Sequence, residues 1–349
     1  MSKNRSIVYF GFNNFLKHKR GVENVIDFQS KVFPINRRYY IHWDKETKVY
    51  KNESFICISI KHCWYWPFIL NIVFKKLKKK RNLFIHSHNP LFSFFLINRT
   101  NLLTVHDGLY YLSKNKNKKY LILYKIIERL TYTKSRYVHF ISRYSKEQSL
   151  FGNRKNFIII PNTSHYESYI NRNWKRGVGS ELINVLSVRS IEERARIDLI
   201  IKVAEKLKED RFLFSIAGKG PLFDKYLREV EKHGLKNVKL LGYVDDDSLF
   251  KLYSTCDLVL MTAEYGEGFG LPIIEGYLFG KPVVASNKCA IPEVIISNNY
   301  LFENEVDAVI EKIKYALSND RADFKEYYDN NFSNDIILKR FEILYLNLI

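Results

Sequence analysis

Short apolar runs bounded by polar or turn residues alternate with longer helical patterns along the first half of the chain. The runs predict strands at residues 7–10, 55–60, 83–86, 102–105, 138–141 and 157–160. One helical pattern begins at Gly21, and another covers residues 120–130. Because strands that alternate with helices form parallel sheets covered on both faces, the first half predicts an α/β domain.

The second half repeats this alternation more regularly. Strands are predicted at residues 184–188, 212–217, 238–241, 258–261 and 282–286, with helices at 198–208, 222–233, 248–253 and 272–279. This order is typical of a doubly wound domain. Helices at 306–317 and 335–347 close the chain, and the polar segment 162–180 is the candidate linker.

The 349 residues therefore predict two Rossmann-like α/β domains, at 1–165 and 166–334, with the helix at 335–349 packing back on the first. Ligands of such sheets bind at the carboxyl ends of the strands. We expect the two domains to face a cleft, with functional residues directly after strands.

The charge is divided unevenly between the halves. The formal net charge is +19, and residues 1–170 hold 31 basic and 9 acidic residues, whereas residues 171–349 hold 25 and 28. The first half should therefore meet an anionic partner, such as nucleic acid, an anionic membrane or a phosphorylated substrate. The four cysteines form no C-x-x-C pair, which argues against a zinc site and for a reducing compartment.

The segment 263–276 carries the most informative chemistry. Glycines in this loop allow close backbone approach to a ligand, and Pro272 suits the first turn of a helix. A helix N-terminus offers free N–H groups to a phosphate. Glu267 and Glu275 can accept hydrogen bonds from sugar or ribose hydroxyls.

The two glutamates, seven residues apart around Gly-Phe-Gly-Leu-Pro, resemble the E-x7-E motif of GT-B glycosyltransferases of the GT4 type. Further motifs of the second half are similar to that family in order and spacing: Ala-Gly-Lys-Gly-Pro at 217–221, Leu-Gly-Tyr-Val at 241–244 and Gly-Lys-Pro-Val-Val-Ala-Ser at 280–286. The resemblance is sparse in the first half, where Arg20-Gly21 replaces the usual pair of glycines.

The resemblance implies a retaining transferase that takes a sugar from a nucleoside diphosphate without a metal or other cofactor. It implies that Glu267 contacts the donor sugar, that His106 approaches it from the first domain and that Glu275 binds the ribose. It also implies donor contacts from a further set of residues: Gly268, Phe269, Gly270, Leu271, Val244 and Gly21.

The family neutralises the diphosphate with an arginine and a lysine, and Arg189 matches the arginine. The lysine is replaced. Arg194 has the right spacing from Arg189, while counting back from Asp198 lands on Ala195, so either Arg194 or Arg196 could serve.

Aromatic and basic residues cluster at positions 61–81. Such a cluster predicts docking on an anionic membrane surface. The residues proposed for this contact are Trp64, Trp66, Lys75, Lys76, Lys78, Lys79 and Lys80. The apolar part is too short to span a bilayer.

Two other signals have structural interpretations. Asp245-Asp246-Asp247 resembles a D-x-D metal motif, but its place before a helix favours capping. His86 and His88 could ligate a metal, but a strand end is the better interpretation. No metal is expected.

The sequence thus predicts a glycosyltransferase that adds a sugar to a lipid-linked saccharide during bacterial surface polysaccharide assembly. It is expected in the cytoplasm, on the inner face of the membrane, without a secretory signal. The alternatives are a GT-B epimerase or phosphorylase, a basic nucleic-acid-binding protein, and a non-catalytic partner subunit. The intact glutamate pair argues against the last two.

Overall fold

The computed structural model describes residues 5–14, 21–106, 121–151, 156–170, 182–318 and 322–348. The chain divides into two compact units. The first comprises residues 1–162 and 335–349, and the second comprises residues 163–334. The first boundary therefore lies three residues before the position expected from the sequence.

A sheet of eight strands forms the centre of the first unit. The strands are β1 (Arg5–Phe10), β2 (Arg38–Asp44), β3 (Lys48–Lys51), β4 (Ile56–Lys61), β5 (Asn82–Ser87), β6 (Thr100–Val105), β7 (Ser135–Phe140) and β8 (Phe157–Ile159). Their order is β3-β4-β2-β1-β5-β6-β7-β8, and only the pairing of β3 with β4 is antiparallel among these described strands. The central strand β1 is buried over five of its six residues, as expected for a strand covered on both faces.

Three helices lie side by side on one face of this sheet. The helices of this part of the chain are α1 (Gly21–Ser30), α2 (Trp66–Lys80), α3 (Pro90–Phe95), α4 (Leu121–Lys134) and α5 (Arg143–Glu147). The Asn71 amide of α2 donates to the Phe95 carbonyl at 3.0 Å, and the Lys134 ammonium of α4 donates to the Phe94 carbonyl at 2.8 Å. The short helix α3 therefore joins α2 to α4.

The second unit has a six-stranded parallel sheet. Its strands are β9 (Ile183–Val188), β10 (Phe212–Ala217), β11 (Val238–Gly242), β12 (Leu258–Met261), β13 (Val283–Ser286) and β14 (Leu301–Phe302). Its helices are α6 (Ile197–Lys206), α7 (Phe223–Lys232), α8 (Asp246–Thr255), α9 (Leu271–Leu278), α10 (Ile291–Val294), α11 (Val306–Ser318) and α12 (Phe324–Asn331). The strand order β11-β10-β9-β12-β13-β14 reverses between β9 and β12, which is where ligands of such sheets bind.

The last helix, α13 (Asn334–Leu348), packs in the core of the first unit. Phe341 and Tyr345 are fully or almost fully buried, in one hydrophobic cluster with Ile26 of α1 and Phe84 of β5. Burial of each such side chain stabilises the unit by roughly 1.5–3 kcal/mol. The first unit therefore depends on two segments that are far apart in the sequence.

A buried line of hydrogen bonds also connects α13 to the sheet. The Tyr345 hydroxyl oxygen lies 2.9 Å from the hydroxyl oxygen of Tyr9 in β1 and 2.9 Å from Nδ1 of His86 in β5. His86 Nε2 lies 2.7 Å from Oγ1 of Thr104 in β6. All four side chains are buried.

The direction of this line is fixed at its far end. The backbone carbonyl of Ile160 can only accept, so His139 donates to it from Nε2, at 2.9 Å. Burial lowers the pKa of His139 to about 4, so its neutral ring accepts the Thr104 hydroxyl at Nδ1, 2.9 Å away. The Thr104 oxygen then accepts from His86, whose Nδ1 accepts from Tyr345. Only the oxygen of Tyr345 is left to accept a further hydrogen bond.

Several elements of the fold were not predicted from the sequence. The strand β2 is buried from Tyr39 to His42, but its sequence Arg-Tyr-Tyr-Ile-His-Trp-Asp has no aliphatic run. The antiparallel edge strand β3 is mostly exposed, so its sequence lacks the apolar run that would have predicted a strand. The two-residue strand β14 and the polar helix α12 were also not predicted. Part of the predicted linker, residues 171–180, lies outside the described residues.

The directional order predicts unequal costs for removing two neighbouring hydroxyls. Tyr345→Phe leaves His86 Nδ1 without its donor and Tyr9 without its acceptor, so it should lower the free energy of unfolding by about 1–3 kcal/mol. Tyr9→Phe removes only the terminal donor and should cost less. Urea denaturation of both variants measures the difference, and equal losses would contradict the assigned order.

Candidate active site

The candidate site lies at the carboxyl ends of β9 and β12. Arg189 follows β9 directly, and the loop 262–270 follows β12. Because these neighbouring strands are parallel and the order of the sheet reverses between them, their carboxyl ends open the crevice in which doubly wound sheets hold ligands.

An ion pair joins the two strand ends. Arg189 Nη1 donates to Glu267 Oε2 at 2.6 Å, and the side chains are only 6% and 17% exposed. Arg189 Nε is buried and makes no hydrogen bond to the described residues. Glu267 also accepts a long contact from the backbone N–H of Phe269, at 3.5 Å. The arginine therefore fixes the glutamate and keeps one donor unused.

The Ala-Gly-Lys-Gly-Pro turn positions Arg189. The backbone N–H of Arg189 donates to the carbonyl of Ala217 at 2.9 Å, and the backbone N–H of Ile191 donates to the carbonyl of Lys219 at 3.1 Å. A Cβ atom on Gly218 would lie 1.8 Å from the Arg189 carbonyl oxygen, and its φ is +145°. Glycine is therefore required for the turn to pack this closely against the strand end.

The helix α9 begins at an open N-terminus. Gly270 is its N-cap residue, with a φ of +99° that suits glycine, and Pro272 lies in the first turn. Glu275 is the fifth residue of α9 and therefore lies in its second turn, where it is buried. Its side chain therefore points into the unit.

Glu275 is a buried carboxylate with one strong partner. It is 6% exposed, and the hydroxyl of Tyr253 in α8 donates to its Oε2 at 2.6 Å. Burial raises the pKa of Glu275, while His165 and the Tyr253 hydrogen bond act in the opposite direction. Nothing in the sequence pairs Tyr253 with Glu275, since they lie on different helices.

The sequence did not decide whether Arg194 or Arg196 replaces the lysine of the family, and these two arginines have different surroundings. Arg194 Nη1 donates to the backbone carbonyl of Gly266 at 2.7 Å, inside the loop that carries Glu267, and its Nε lies 3.4 Å from Glu192 Oε2. Arg196 lies between two carboxylates: Nε is 3.1 Å from Asp198 Oδ1, and Nη1 is 2.5 Å from Glu264 Oε2. Hydrogen bonding to Asp198 raises the pKa of Arg196. Arg196 is thus committed to internal partners.

The other residues expected to contact the donor differ in how exposed they are. Phe269 is 4% exposed and packs on Phe332 with ring centroids 6.0 Å apart, so its ring is not available to a ligand. Gly268 and Leu271 are half-buried at the N-terminus of α9. Val244 is half-buried after β11.

His106 follows β6 in the first unit. Its Nε2 lies 2.9 Å from Nδ1 of the buried His88, and burial lowers the pKa of His106 to about 3, so the ring is neutral at pH 7. Gly21 is the first residue of α1, and residues 15–20 before it lie outside the described ranges. Of the two first-domain residues expected to contact the donor, His106 is therefore the one whose side-chain contacts the structure describes.

The Asp-Asp-Asp segment caps a helix. Asp245 is the N-cap residue of α8, and its Oδ1 accepts the backbone N–H of Ser248 at 2.9 Å. In the described ranges, no three His, Cys, Asp or Glu side chains cluster as a metal site would require.

The predicted membrane residues differ in exposure. Trp64 is 91% exposed, and Lys75, Lys76, Lys78 and Lys79 are exposed on α2, while the Lys80 side chain lies outside the described part. Trp66 is half-buried and packs on Phe92 at the border of the hydrophobic core, with ring centroids 5.2 Å apart.

Two apolar residues of α2 are also exposed. Phe68 is 76% exposed and Ile72 is 51% exposed, and they lie one turn apart on the helix. No helix in the described ranges has the combination of length and apolarity that a bilayer crossing requires.

Comparison with known proteins agrees with these features. The family model described as glycosyl transferases group 1 matches residues 171–331. An uncharacterized 41.2 kDa protein in the cps region of Klebsiella pneumoniae is 25% identical over 299 residues, which is 78% of this chain and 81% of that protein. The O-antigen chain mannosyltransferase B of Escherichia coli is 30% identical over 141 residues, 39% of this chain and 37% of its own length. The crystal structure of Anabaena Alr3699/HepE in complex with UDP-glucose aligns with a TM-score of 0.71 at 15% identity, covering 99% of this chain and 100% of that one.

Two doubly wound units with loops at the carboxyl ends of their strands are the GT-B fold, and the chain is a glycosyltransferase of this class. Its residues 171–331 match the model of the glycosyl transferases group 1 family, and this stretch includes both glutamates of the motif. The glycosyltransferase class expected from the glutamate motif is therefore confirmed.

The buried charge of Glu275 predicts a stabilising variant. Because the pKa of Glu275 is raised on folding, its ionisation destabilises the protein as the pH rises above its ordinary value of 4.5. Glu275→Gln removes this charge and keeps an acceptor for Tyr253, so its melting temperature at pH 7 should exceed that of the wild type by roughly 2–4 °C. Calorimetry at pH 7 and pH 4 provides the measurement. The gain should vanish at pH 4, and a gain that is equal at both values would contradict the assignment.

Proposed function

We propose that this chain is a retaining, metal-independent glycosyltransferase that moves a sugar from a nucleoside-diphosphate sugar to a saccharide acceptor. One observation carries the proposal. The Arg189–Glu267 ion pair and the open N-terminus of α9 meet at the reversal point of the second sheet. This arrangement brings positive charge, the N-terminal end of a helix and carboxylates that can accept from hydroxyl groups to one edge of the sheet.

The chemistry of the donor fits these groups. When the bond between the anomeric carbon and the diphosphate oxygen breaks, negative charge grows on the departing diphosphate. A bond to the acceptor oxygen forms on the same face of the sugar, and the acceptor proton goes to the diphosphate. Fixed arginines and helix N–H groups stabilise that charge without reorganisation, so the proposed reaction needs no divalent cation.

We assign the second diphosphate cation to Arg194. Arg194 holds the Gly266 carbonyl within the loop 262–270, here called the donor loop, and pairs with one carboxylate, that of Glu192, whereas Arg196 is paired with both Asp198 and Glu264. Moving Arg196 to a ligand would leave two carboxylates without their partner. In the first unit, the neutral ring of His106 is the group we propose to contact the donor sugar.

Arginine substitutions should separate these roles. Arg194→Ala should weaken binding of the nucleoside diphosphate about tenfold and leave binding of the corresponding nucleoside unchanged, because only the diphosphate loses a charge-assisted hydrogen bond. Arg196→Ala is the matched control and should change the Kd less than threefold while lowering stability. Isothermal titration with both ligands tests this, and equal losses in the two variants would contradict the assignment.

A donor screen tests the function itself. The wild type and Glu275→Ala are heated with UDP, GDP and their sugars, since a ligand that binds only the native state raises its stability. We expect one nucleotide to raise the melting temperature of the wild type, both with and without EDTA. The variant should not show this increase. Absence of any shift at millimolar nucleotide would contradict the donor site. The complex of Alr3699/HepE with UDP-glucose makes UDP the first nucleotide to test.

We further propose a lipid-linked acceptor used in bacterial surface polysaccharide synthesis. The names of two relatives, one from a cps region and one an O-antigen mannosyltransferase, support this setting. The positive excess of residues 1–170 suits a phosphorylated, membrane-bound acceptor.

The surface of α2 and α4 supports docking on the inner face of the cytoplasmic membrane. Both helices expose large apolar side chains, and these are Trp64 (just before α2), Phe68, Ile72, Ile122, Leu123, Ile126 and Leu130. The helix α2 has no acidic residue, and the single acidic residue of α4, Glu128, is buried. Apolar anchors with basic neighbours are typical of helices that lie on anionic lipid. A second copy of the chain would bring the same positive charge, which disfavours pairing through this face.

Charge removal on α2 should weaken membrane binding. Each basic residue near an anionic surface contributes about 1 kcal/mol, so changing Lys75, Lys76, Lys78 and Lys79 to Gln should lower binding to vesicles rich in phosphatidylglycerol more than tenfold. Co-sedimentation measures the effect, with phosphatidylcholine vesicles as the uncharged reference.

A matched control removes the same charge from the second unit. Lys225, Lys232, Lys236 and Lys239 are exposed there, and their change to Gln should leave vesicle binding nearly intact. Equal losses in the two quadruple variants would show that only total charge matters and would refute the docking surface.

A further inference from the structure

The hydroxyl of a buried tyrosine, Tyr253 of α8, donates to the carboxylate of Glu275. We infer that Tyr253 is a positioning residue, which holds Glu275 Oε2 so that Oε1 faces the hydroxyl groups of the donor nucleoside. The inference rests on the proposed function and on the ribose contact that the family resemblance implies for Glu275. It concerns a side chain that does not itself touch the donor.

The hydrogen bond has a defined direction. A carboxylate can only accept, so the Tyr253 hydroxyl donates to Oε2, at 2.6 Å. Burial raises the pKa of Tyr253 well above its ordinary range, so the phenol remains a donor at every working pH. Glu275 Oε1 makes no hydrogen bond to the described residues, which leaves it available to a ligand.

Packing prevents the tyrosine from moving. Tyr253 is fully buried, and its ring stacks on Phe279 with centroids 5.7 Å apart and planes within 4° of parallel. Phe279 follows the end of α9, the helix that carries Glu275. The ring of Tyr253 therefore packs against the end of the same helix that carries the acceptor of its hydroxyl group.

Charged neighbours set the direction of the pH effect. Burial raises the pKa of Glu275, Asp246 raises it further, and His165 and the Tyr253 hydroxyl lower it. Loss of the hydroxyl must therefore raise this pKa. A protonated Glu275 accepts donor hydroxyls less well, so the acidic limb of nucleotide binding should move to higher pH.

The test compares Tyr253→Phe with Tyr277→Phe. Tyr277 is a matched control because it is also fully buried, lies on α9 and uses its hydroxyl to accept the backbone N–H of Ile296 at 3.0 Å. Tyr253→Phe should raise the KM for the donor about tenfold, leave kcat within twofold and move the acidic limb of binding to higher pH. Tyr277→Phe should lose stability without any of these changes. If the two variants behave alike, the inference is wrong.

Two further arms separate the possible failures. If the wild type binds no nucleotide, the proposed function fails; if Glu275→Ala abolishes binding and Tyr253→Phe leaves it normal, only the inference fails. Should Tyr253→Phe not fold, 3-fluorotyrosine at position 253 provides a second test. Its more acidic phenol donates more strongly, so the acidic limb should move to lower pH, and an unmoved limb would overturn the inference.

Discussion

The ion pair between Arg189 and Glu267 is the constraint on which the second unit's site depends. It joins the carboxyl ends of β9 and β12, where the order of the sheet reverses. The close turn at Gly218 fixes the backbone of the arginine, and Arg194 holds the same loop through the Gly266 carbonyl. Without these contacts the loop would present its glutamate in many orientations, and its ordering would have to accompany ligand binding.

The two motif glutamates are held by opposite means. Glu267 faces a guanidinium, which satisfies its charge, whereas Glu275 is buried against a phenol, and its charge raises the energy of the folded state. A buried carboxylate that costs stability is typical of a residue retained for function rather than for folding. The motif thus contains one residue whose partner can be exchanged for a ligand and one whose geometry is fixed in advance.

The sequence predicted the second unit more closely than the first, for physical reasons. The strand β12 was placed at its observed bounds because a short apolar run between polar residues has one simple interpretation. The strand β2 was missed because tyrosine and histidine supply its buried surface. Spacing alone made Glu267 and Glu275 candidates, but it could not show how Arg194 and Arg196 differ, since one partner of Arg196 is Glu264, which is 68 residues away. The pairing of Tyr253 with Glu275 likewise appears only when two helices are brought together.

The return of α13 to the first unit sets an order of events during synthesis. The second unit is one continuous segment, so it can fold as soon as residue 334 has left the ribosome. The first unit is translated earlier but lacks Phe341 and Tyr345 until α13 emerges, so Tyr9 and His86 wait without their buried partner. The half of the protein that is made first is therefore completed last, and during that interval its apolar sheet face is the surface that a chaperone would meet.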